Sequence, residues 1–243
     1  MPLQLGRKAK QTDPRTIRYN AVRDDAAWAG LPESWSWNTD HGSVVPTPVF
    51  LNDQIGDCVE AESAHYILRA EYEETGVAPK ITDAEVRAAY FDETGGQDEG
   101  LVILDHLKLW RNTGLLLGGE RYKIKAFVDV TPQDEAEMKE AMIVSLGLNI
   151  GVDLPLSAAD QLNAGQPWDL SIGPRSAAGS WGGHCVLVVG YDAFGVTLVT
   201  WGAYQRASWA WIRAYCDEAY AVLDALDTDG IRAGAMAMAL ANI

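Results

Sequence analysis

The side chain in this sequence best suited to chemistry is a cysteine at the start of a predicted helix. Cys58 follows a loop over residues 51–57, and small or apolar residues then recur at helical spacing to about Thr75, where Gly76 is expected to end the helix. Unpaired amides and the helix dipole at the helix start favour the thiolate, which is the reactive form of cysteine. Cys58 is therefore a candidate nucleophile, with a small buried hydrophobe as the alternative interpretation.

Acidic residues near Cys58 modify this prediction. Asp57 is expected to cap the helix and to form a capping box with Glu60. A negative charge beside a thiol raises its pKa, so activation requires a cationic partner, and histidine is the usual one. The polar residues expected on the helix faces nearer water are Glu60, Glu62, Arg69, Glu71, Glu73 and Glu74.

Four histidines are available as that partner. His65 lies seven residues along the same helix, about 10 Å up its axis, which is too far for a hydrogen bond. His106 lies in an amphipathic pattern and His41 in a turn, so a structural or solvated role is favoured for both. His184 follows two glycines at the start of a strong hairpin, a setting that suits a functional site. His184 is the preferred partner, with core packing as its alternative role.

The pattern of elements predicts an α+β chain, because helices come first and strands second. A Thr82–Glu85 capping box marks the second helix. The predicted helices are Cys58–Thr75, Ile81 to about Tyr90, Leu101 to about Asn112, residues 135–145 and Trp209–Leu223. The predicted strands are Tyr122–Val128, Leu148–Leu154, the hairpin of Cys185–Tyr191 with Val196–Thr200, and a closing strand in Ile231–Ile243.

Composition limits the classes of partner. The 243 residues carry a net charge of −15, which argues against nucleic acid and against an anionic membrane surface. The N-terminus lacks an apolar signal segment, and the three cysteines are no disulfide framework, so a reducing location such as the cytoplasm or a virion is expected. No Cys or His pair has metal-ligand spacing, so neither a metal nor a cofactor is predicted. The basic N-terminal arm, residues 1–30, is expected to lie on its own acidic body or on a partner.

From about residue 31 to 215 the order of motifs resembles the papain-like cysteine peptidases, in particular divergent bacterial and bacteriophage members. The motifs that carry the resemblance are Leu31-Pro32-Glu33-Ser34-Trp35-Ser36-Trp37, Thr47-Pro48-Val49-Phe50-Leu51-Asn52, the Gly-Asp-Cys that ends at Cys58, Gly182-Gly183-His184-Cys185-Val186-Leu187-Val188-Val189-Gly190-Tyr191, and Thr200-Trp201-Gly202.

The resemblance implies a papain-like two-lobed fold in residues 31–243. Its N-terminal helical lobe, about 51–118, would contain a long central helix, and its C-terminal antiparallel β lobe would span about 119–243. It also implies that Cys58 attacks an amide carbonyl of a peptide or protein substrate while His184 transfers the proton. Asn52 stands at the oxyanion position, and Gln54 is the second choice for that role.

Two departures from the family pattern leave two hypotheses open. Val199 occupies the position of the asparagine that orients the histidine, and residues 199–203 contain no Asn, Asp or Glu. Thr200, or Tyr204 and Gln205 just beyond, are weak substitutes. No long inhibitory propeptide is recognisable, so no restraint on activity is expected. The chain is therefore predicted to be a cysteine peptidase, amidase or transferase with a Cys-His dyad, or a catalytically degenerate structural or binding module, for example in a bacteriophage virion with protein partners.

Overall fold

The computed structural model describes residues 3–23, 30–38 and 44–223. The predicted closing strand in Ile231–Ile243 and the histidine at position 41 lie outside these residues. Among the helices that are described, none combines the length and apolar character needed to cross a membrane.

Six α-helices occur in the described residues, and their bounds follow the local sequence signals. The Thr82–Glu85 capping box is present, with both reciprocal hydrogen bonds, and Gly76 ends the long helix in the left-handed conformation. The helices are α1 Cys58–Thr75, α2 Asp83–Glu93, α3 Ile103–Asn112, α4 Glu135–Val144, α5 Leu156–Asn163 and α6 Trp209–Tyr215.

An antiparallel sheet forms the second half of the chain. The strands of the described residues are β1 Trp35–Ser36, β2 Leu115–Leu117, β3 Glu120–Tyr122, β4 Ala126–Val130, β5 Leu148–Leu154, β6 Gly182–Tyr191, β7 Gly195–Thr200, β8 Ala203–Ser208 and β9 Cys216–Leu223. The strand order in the sheet is β4-β9-β5-β6-β7-β8, with β1 paired to β6, and β2 and β3 make a separate ribbon. The predicted α+β class is confirmed, as are β5 and the β6–β7 hairpin.

Two predicted elements were wrong in part. The helix predicted over Trp209–Leu223 ends at Tyr215, and the chain continues as β9. That strand lies between β4 and β5, so both of its edges are hydrogen-bonded, which outweighs local helix propensity. The strand predicted over Tyr122–Val128 divides between β3 and β4.

The sheet separates two hydrophobic clusters. On one face Val186 and Val188 pack with α4, α5 and α6, whereas on the other face Leu187 and Val189 pack against α1. This alternation is the expected result of a strand that is buried on both sides. The central helix α1 therefore lies directly against β6, the strand whose third residue is the predicted histidine.

The prediction that the polar side chains of α1 face water is confirmed for Glu73 and Glu74 and is wrong for the first three turns. Glu60, Glu62 and Arg69 are all buried, and the Asn149 side-chain amide donates a hydrogen bond to Glu62. The Asp57–Glu60 capping box is also absent, because Asp57 makes no side-chain cap bond. The central helix is enclosed on all sides over its first three turns, a tertiary effect that its local sequence does not reveal.

Candidate active site

The thiol of Cys58 lies beside the start of β6. Its sulfur accepts hydrogen bonds from the backbone amides of Cys185 and Gly6, and the Cys58 side chain is buried. Because Cys185 directly follows His184, the first residue of the central helix and the mouth of the β6–β7 hairpin meet. The thiol therefore lies against the strand that carries His184, which is 126 positions farther along the chain.

The imidazole of His184 is held by the strand that pairs with its own. Its Nε2 lies 2.7 Å from the Thr200 hydroxyl, and the Trp201 ring stacks on it with centroids 4.2 Å apart and planes inclined by 11°. Its Nδ1 is buried without a hydrogen-bond partner. The imidazole is thus fixed on one side and has one nitrogen available.

The orienting group is Thr200, one residue beyond the position where the family has asparagine. Val199 packs in the core and makes no polar contact. The other two substitutes are engaged elsewhere, since Tyr204 donates to Asn38 and Gln205 donates to the Gln166 carbonyl. Of the three substitutes considered from the sequence, Thr200 is the residue that reaches the imidazole.

Backbone strain is concentrated around these residues. Phe50 and Leu51 have φ of 56° and 66°, and Trp201 has φ of 44°, values that cost non-glycine residues about 1–3 kcal/mol each. The two strained segments touch, because a Cβ at Gly202 would lie 2.7 Å from the Val49 side chain. The segment that leads into the central helix and the segment after β7, whose Trp201 stacks on His184, are therefore packed together.

The predicted oxyanion residues differ in their surroundings. Asn52 is buried, and its side-chain amide donates to the Asp57 carboxylate at 3.1 Å, whereas Gln54 is exposed. Burial raises the pKa of Asp57 to about 8, so this carboxyl is mostly protonated at neutral pH. Asp57 therefore opposes a thiolate less strongly than its charge in water would suggest.

The N-terminal arm covers the site. The Leu101 amide donates to the Gly6 carbonyl at 2.8 Å, the Lys8 amide donates to the Leu101 carbonyl at 2.8 Å, and the Arg7 amide donates to the Gly183 carbonyl at 3.2 Å. Residues 6–8 are thus bonded on one side to the helical lobe and on the other to the residue before His184. The arm lies on its own body, one of the two placements that its basic charge predicted.

Glycines allow the arm to approach so closely. A Cβ on Gly6 would lie 1.6 Å from the Gly56 carbonyl oxygen, and one on Gly100 would lie 1.9 Å from the Gly6 carbonyl oxygen. A Cβ on Gly183 would lie 2.4 Å from the Arg7 carbonyl oxygen. Backbone packs against backbone at all three points, so a side chain at any of them would force the arm away.

Neither reactive group is ionised in the covered site. Burial raises the pKa of Cys58 to about 12, against the opposing effect of the two amides and of Arg7. Burial and the Arg7 charge lower the pKa of His184 to about 3. The pair is therefore a neutral thiol beside a neutral imidazole while the arm is in place.

The remaining described histidines have structural partners. His65 donates from Nε2 to the Pro48 carbonyl, which anchors the segment before the central helix. His106 contacts Ser63 at 2.9 Å and Glu93 at 2.8 Å. Glu60, Glu93 and His106 bring three possible ligand atoms within 4.8 Å of one another. His106 is hydrogen-bonded to Glu93 and lies 3.5 Å from Glu60, which describes the group as a buried ion-pair cluster.

Local sequence patterns did not predict the covering arm. A basic segment on an acidic protein was its only signal, and the glycine at position 6 was not distinctive by itself. The expectation of an unrestrained site is therefore corrected: a segment of the same chain lies on Cys58. It was overlooked because its contacts are to residues far along the chain, which local patterns do not encode.

Comparison with solved structures finds cysteine proteases. Xylellain, a cysteine protease from Xylella fastidiosa, is similar with a TM-score of 0.70 and 17% identity, covering 91% of this chain and 96% of that one. A procathepsin B from Trypanosoma congolense has a TM-score of 0.63 and 13% identity, covering 90% and 86%. The Carica candamarcensis cysteine protease CMS1MS2, in complex with E-64, has a TM-score of 0.55 and 16% identity, covering 80% and 99%. No protein-family model and no curated protein matches the sequence.

Proposed function

This chain has the papain-like cysteine protease fold, and from that premise we propose that it is a cysteine peptidase whose nucleophile is Cys58 and whose general base is His184. One observation carries the proposal: the imidazole is fixed by Thr200 and Trp201, its buried Nδ1 has no hydrogen-bond partner, and the amide of the next residue, Cys185, reaches the Cys58 sulfur. A core histidine kept only for packing has no reason to leave that nitrogen unsatisfied.

The chemistry follows from this arrangement once the arm has moved. Nδ1 of His184 takes the proton of Cys58, and the thiolate attacks the carbonyl carbon of a peptide bond. The oxyanion is stabilised by the Cys58 amide and by the side-chain amide of Asn52. The imidazolium then protonates the leaving amine, and water hydrolyses the thioester to release the acid and the free thiol. Thr200 keeps the ring in position through both proton transfers.

The arm acts as the restraint on this activity. It excludes water and substrate from the thiol, and the Arg7 charge adds to the burial that keeps His184 neutral. Displacing the arm removes both effects, so the pKa of the imidazole rises and that of the thiol falls. The uncovered pair is then able to form the thiolate and imidazolium that the covered pair does not.

The first test measures Cys58 alkylation by iodoacetamide against pH. Gly6→Ala places a methyl group against the Gly56 carbonyl and should displace the arm without changing any charge. We expect slow alkylation of the unmodified chain, and fast alkylation of the variant with an apparent pKa below about 7.5. Gln11→Ala, at an exposed position farther along the arm, is the matched control and should behave like the unmodified chain.

The second test measures cleavage of a fluorescent protein substrate by the Gly6→Ala chain. Adding Cys58→Ala or His184→Ala should lower the rate by at least about three orders of magnitude, because both groups act in the same step. A thiol in Gly6→Ala that alkylates with the pKa of free cysteine contradicts the proposal.

One observation favours the alternative, a binding module that has lost catalysis. In the covered state neither Cys58 nor His184 is ionised near neutral pH. If the Gly6→Ala chain and the same chain with Cys58→Ala added cleave every tested substrate at the same rate, the fold serves for binding. A place in a bacteriophage virion stays a prediction.

A further inference from the structure

The arm fills a charged cavity beside the thiol with one side chain. The Arg7 guanidinium is 1% exposed and donates to Glu218 at 2.7 Å, to Asp153 at 2.6 Å and to Asp217 at 2.5 Å. The Asp153 and Asp217 side chains are 41% and 34% exposed, whereas that of Glu218 is fully buried. Glu218 therefore forms the end of the cavity, and the two aspartates form its mouth.

A β-bulge makes this cavity possible. Gly151 pairs with Glu218 and Val152 pairs with Cys216, so Asp217 is the extra residue between them. Successive residues of a regular strand point to opposite faces, and a bulge re-aims one of them. The bulge is the reason that two adjacent carboxylates, of Asp217 and Glu218, both reach the same guanidinium.

The cavity floor is shaped for a guanidinium. A Cβ on Gly151 would lie 2.5 Å from the Arg7 Nη1 atom, so a side chain at this position would remove the space that the cation uses. The guanidinium donates to three carboxylates through two of its nitrogens, a forked arrangement that a single ammonium does not reproduce.

The cavity lies close to the thiol, because the residue that fills it directly follows the residue that contacts the sulfur. Gly6 is the arm residue whose amide contacts the Cys58 sulfur, and Arg7 is the next residue, bonded through its backbone to Gly183. A peptide bound in the place of residues 6 and 7 would therefore put one side chain in the acidic cavity. The amide of its preceding residue would then lie at the Cys58 sulfur.

We infer that the cavity filled by Arg7 is a substrate subsite that selects a basic side chain, preferentially arginine, with Glu218 as the specificity-determining residue. This inference rests on the proposed peptidase function for its catalytic meaning. The arm restrains the site by placing in the subsite the side chain that the substrate must supply.

Departure of the arm leaves a buried carboxylate that needs a partner. Glu218 keeps its hydrogen bond from Tyr220 but loses its cation, and an unpaired buried charge is costly. A substrate arginine restores the pairing, whereas a neutral side chain leaves it unmade. Burial raises the pKa of Glu218, which agrees with a carboxyl group that depends on a neighbouring cation for its charge.

The test uses binding, so that it does not depend on catalysis. The full chain carrying Arg7→Ala and Cys58→Ala is titrated by calorimetry with acetyl-Leu-Gly-Arg-Lys-Ala-amide, which repeats residues 5–9, and with the same peptide containing citrulline for arginine. Citrulline keeps the shape and removes the charge. We expect the arginine peptide to bind about tenfold to a hundredfold more tightly. Glu218→Gln should weaken the arginine peptide and leave the citrulline peptide unchanged.

Equal affinities for the two peptides, or no binding of the arginine peptide, overturn the inference. If Arg7→Ala does not fold, the measurement is made with Arg7→Gln, which removes the cation from the cavity and retains a hydrogen-bond donor. Hydrolysis of matched fluorogenic peptides by the Arg7→Ala chain with Cys58 intact separates the two proposals. If the chain binds the arginine peptide preferentially but hydrolyses neither peptide, the subsite is supported and the peptidase function is rejected. If it hydrolyses both peptides without preference, the peptidase function is supported and the subsite is rejected.

Discussion

Two buried cations of this protein are each surrounded by carboxylates, and they are attached to the fold in different ways. Arg7 contacts Asp153, Asp217 and Glu218 in the cleft, where its backbone is held by the main-chain bonds of a short arm segment. His106 lies on α3 and contacts Glu60 of α1 and Glu93 of α2.

His106 carries a permanent buried charge, whereas Arg7 carries one that can be exchanged. Three helices meet at His106, so that cation leaves only when the helical lobe unfolds. Arg7 can leave with its arm while the carboxylates around it stay on the sheet. The same pairing chemistry thus stabilises the fold at one site, and at the other it leaves a cavity that a substrate can use.

The largest expected effect is on stability at the permanent site. His106→Gln leaves buried carboxylates without a cation and should lower the free energy of unfolding by about 3–5 kcal/mol. Arg7→Gln should cost less, because Asp153 and Asp217 reach solvent. Urea denaturation followed by tryptophan fluorescence measures both, with the partly exposed Lys108→Gln as control, expected to lose at most about 1 kcal/mol. Equal losses at His106 and Arg7 would remove the distinction.

Stability should also fall as pH rises, mainly through the permanent site. Burial opposes the charge of His106, but Glu60 and Glu93 more than offset it and raise the pKa of His106 from 6.5 to about 9. Burial raises the pKa of Glu60 from 4.5 to about 7 and that of Glu62 to about 8. In each case the folded state binds more protons than the unfolded state between the two values, so stability declines with pH across that window.

His106 alone contributes about 3 kcal/mol of stability, which is present in full below pH 6.5 and gone above about pH 9. Denaturation midpoints measured at fixed ionic strength from pH 5 to pH 9 test this. The curve of His106→Gln should be flatter, and a stability that rises over the same range contradicts the assignment.

A smaller effect is expected at Thr200, and on reactivity more than on stability. In the Gly6→Ala chain, Thr200→Val removes the hydroxyl that orients the imidazole and should lower kcat/KM by about tenfold to a hundredfold. The free energy of unfolding should change by at most about 1.5 kcal/mol, the size of one hydrogen bond. Thr197→Val, on the same strand, is the control. Unchanged kcat/KM would show that the hydroxyl does not position the ring.

The smallest effect is expected at Asp57, whose charge interacts with both Cys58 and Glu60. In the Gly6→Ala chain, Asp57→Asn keeps the acceptor for the Asn52 amide and removes a negative charge, which favours the thiolate. The apparent pKa of Cys58 alkylation should fall by at most about one unit, because Asp57, with a pKa of about 8, is largely protonated in the range where the thiol titrates. Asp53→Asn, in the same loop, should leave the apparent pKa of Cys58 unchanged. A higher Cys58 pKa in the Asp57→Asn chain would contradict the prediction.

Local patterns predicted most of the elements that carry the site. The Thr82–Glu85 box, the glycine that ends α1 and the apolar β6–β7 arms each express their structure within a few residues, so these elements could be placed to within two or three residues. The helix predicted beyond Tyr215 failed because pairing with two neighbouring strands decides the conformation of β9. The water-facing positions assigned to Glu60 and Glu62 failed because partners on other elements surround them.

The sequence alone determined that a cysteine begins a helix, that a histidine begins a buried hairpin and that a basic arm precedes an acidic body. These are properties of residue type and spacing over one or two turns. Only the tertiary structure decided that Thr200 holds the imidazole, that Gly6 covers the thiol, and that a bulge turns Asp217 toward Arg7. Those contacts join residues far apart in the chain, and their geometry depends on how helices and sheet pack rather than on any local preference.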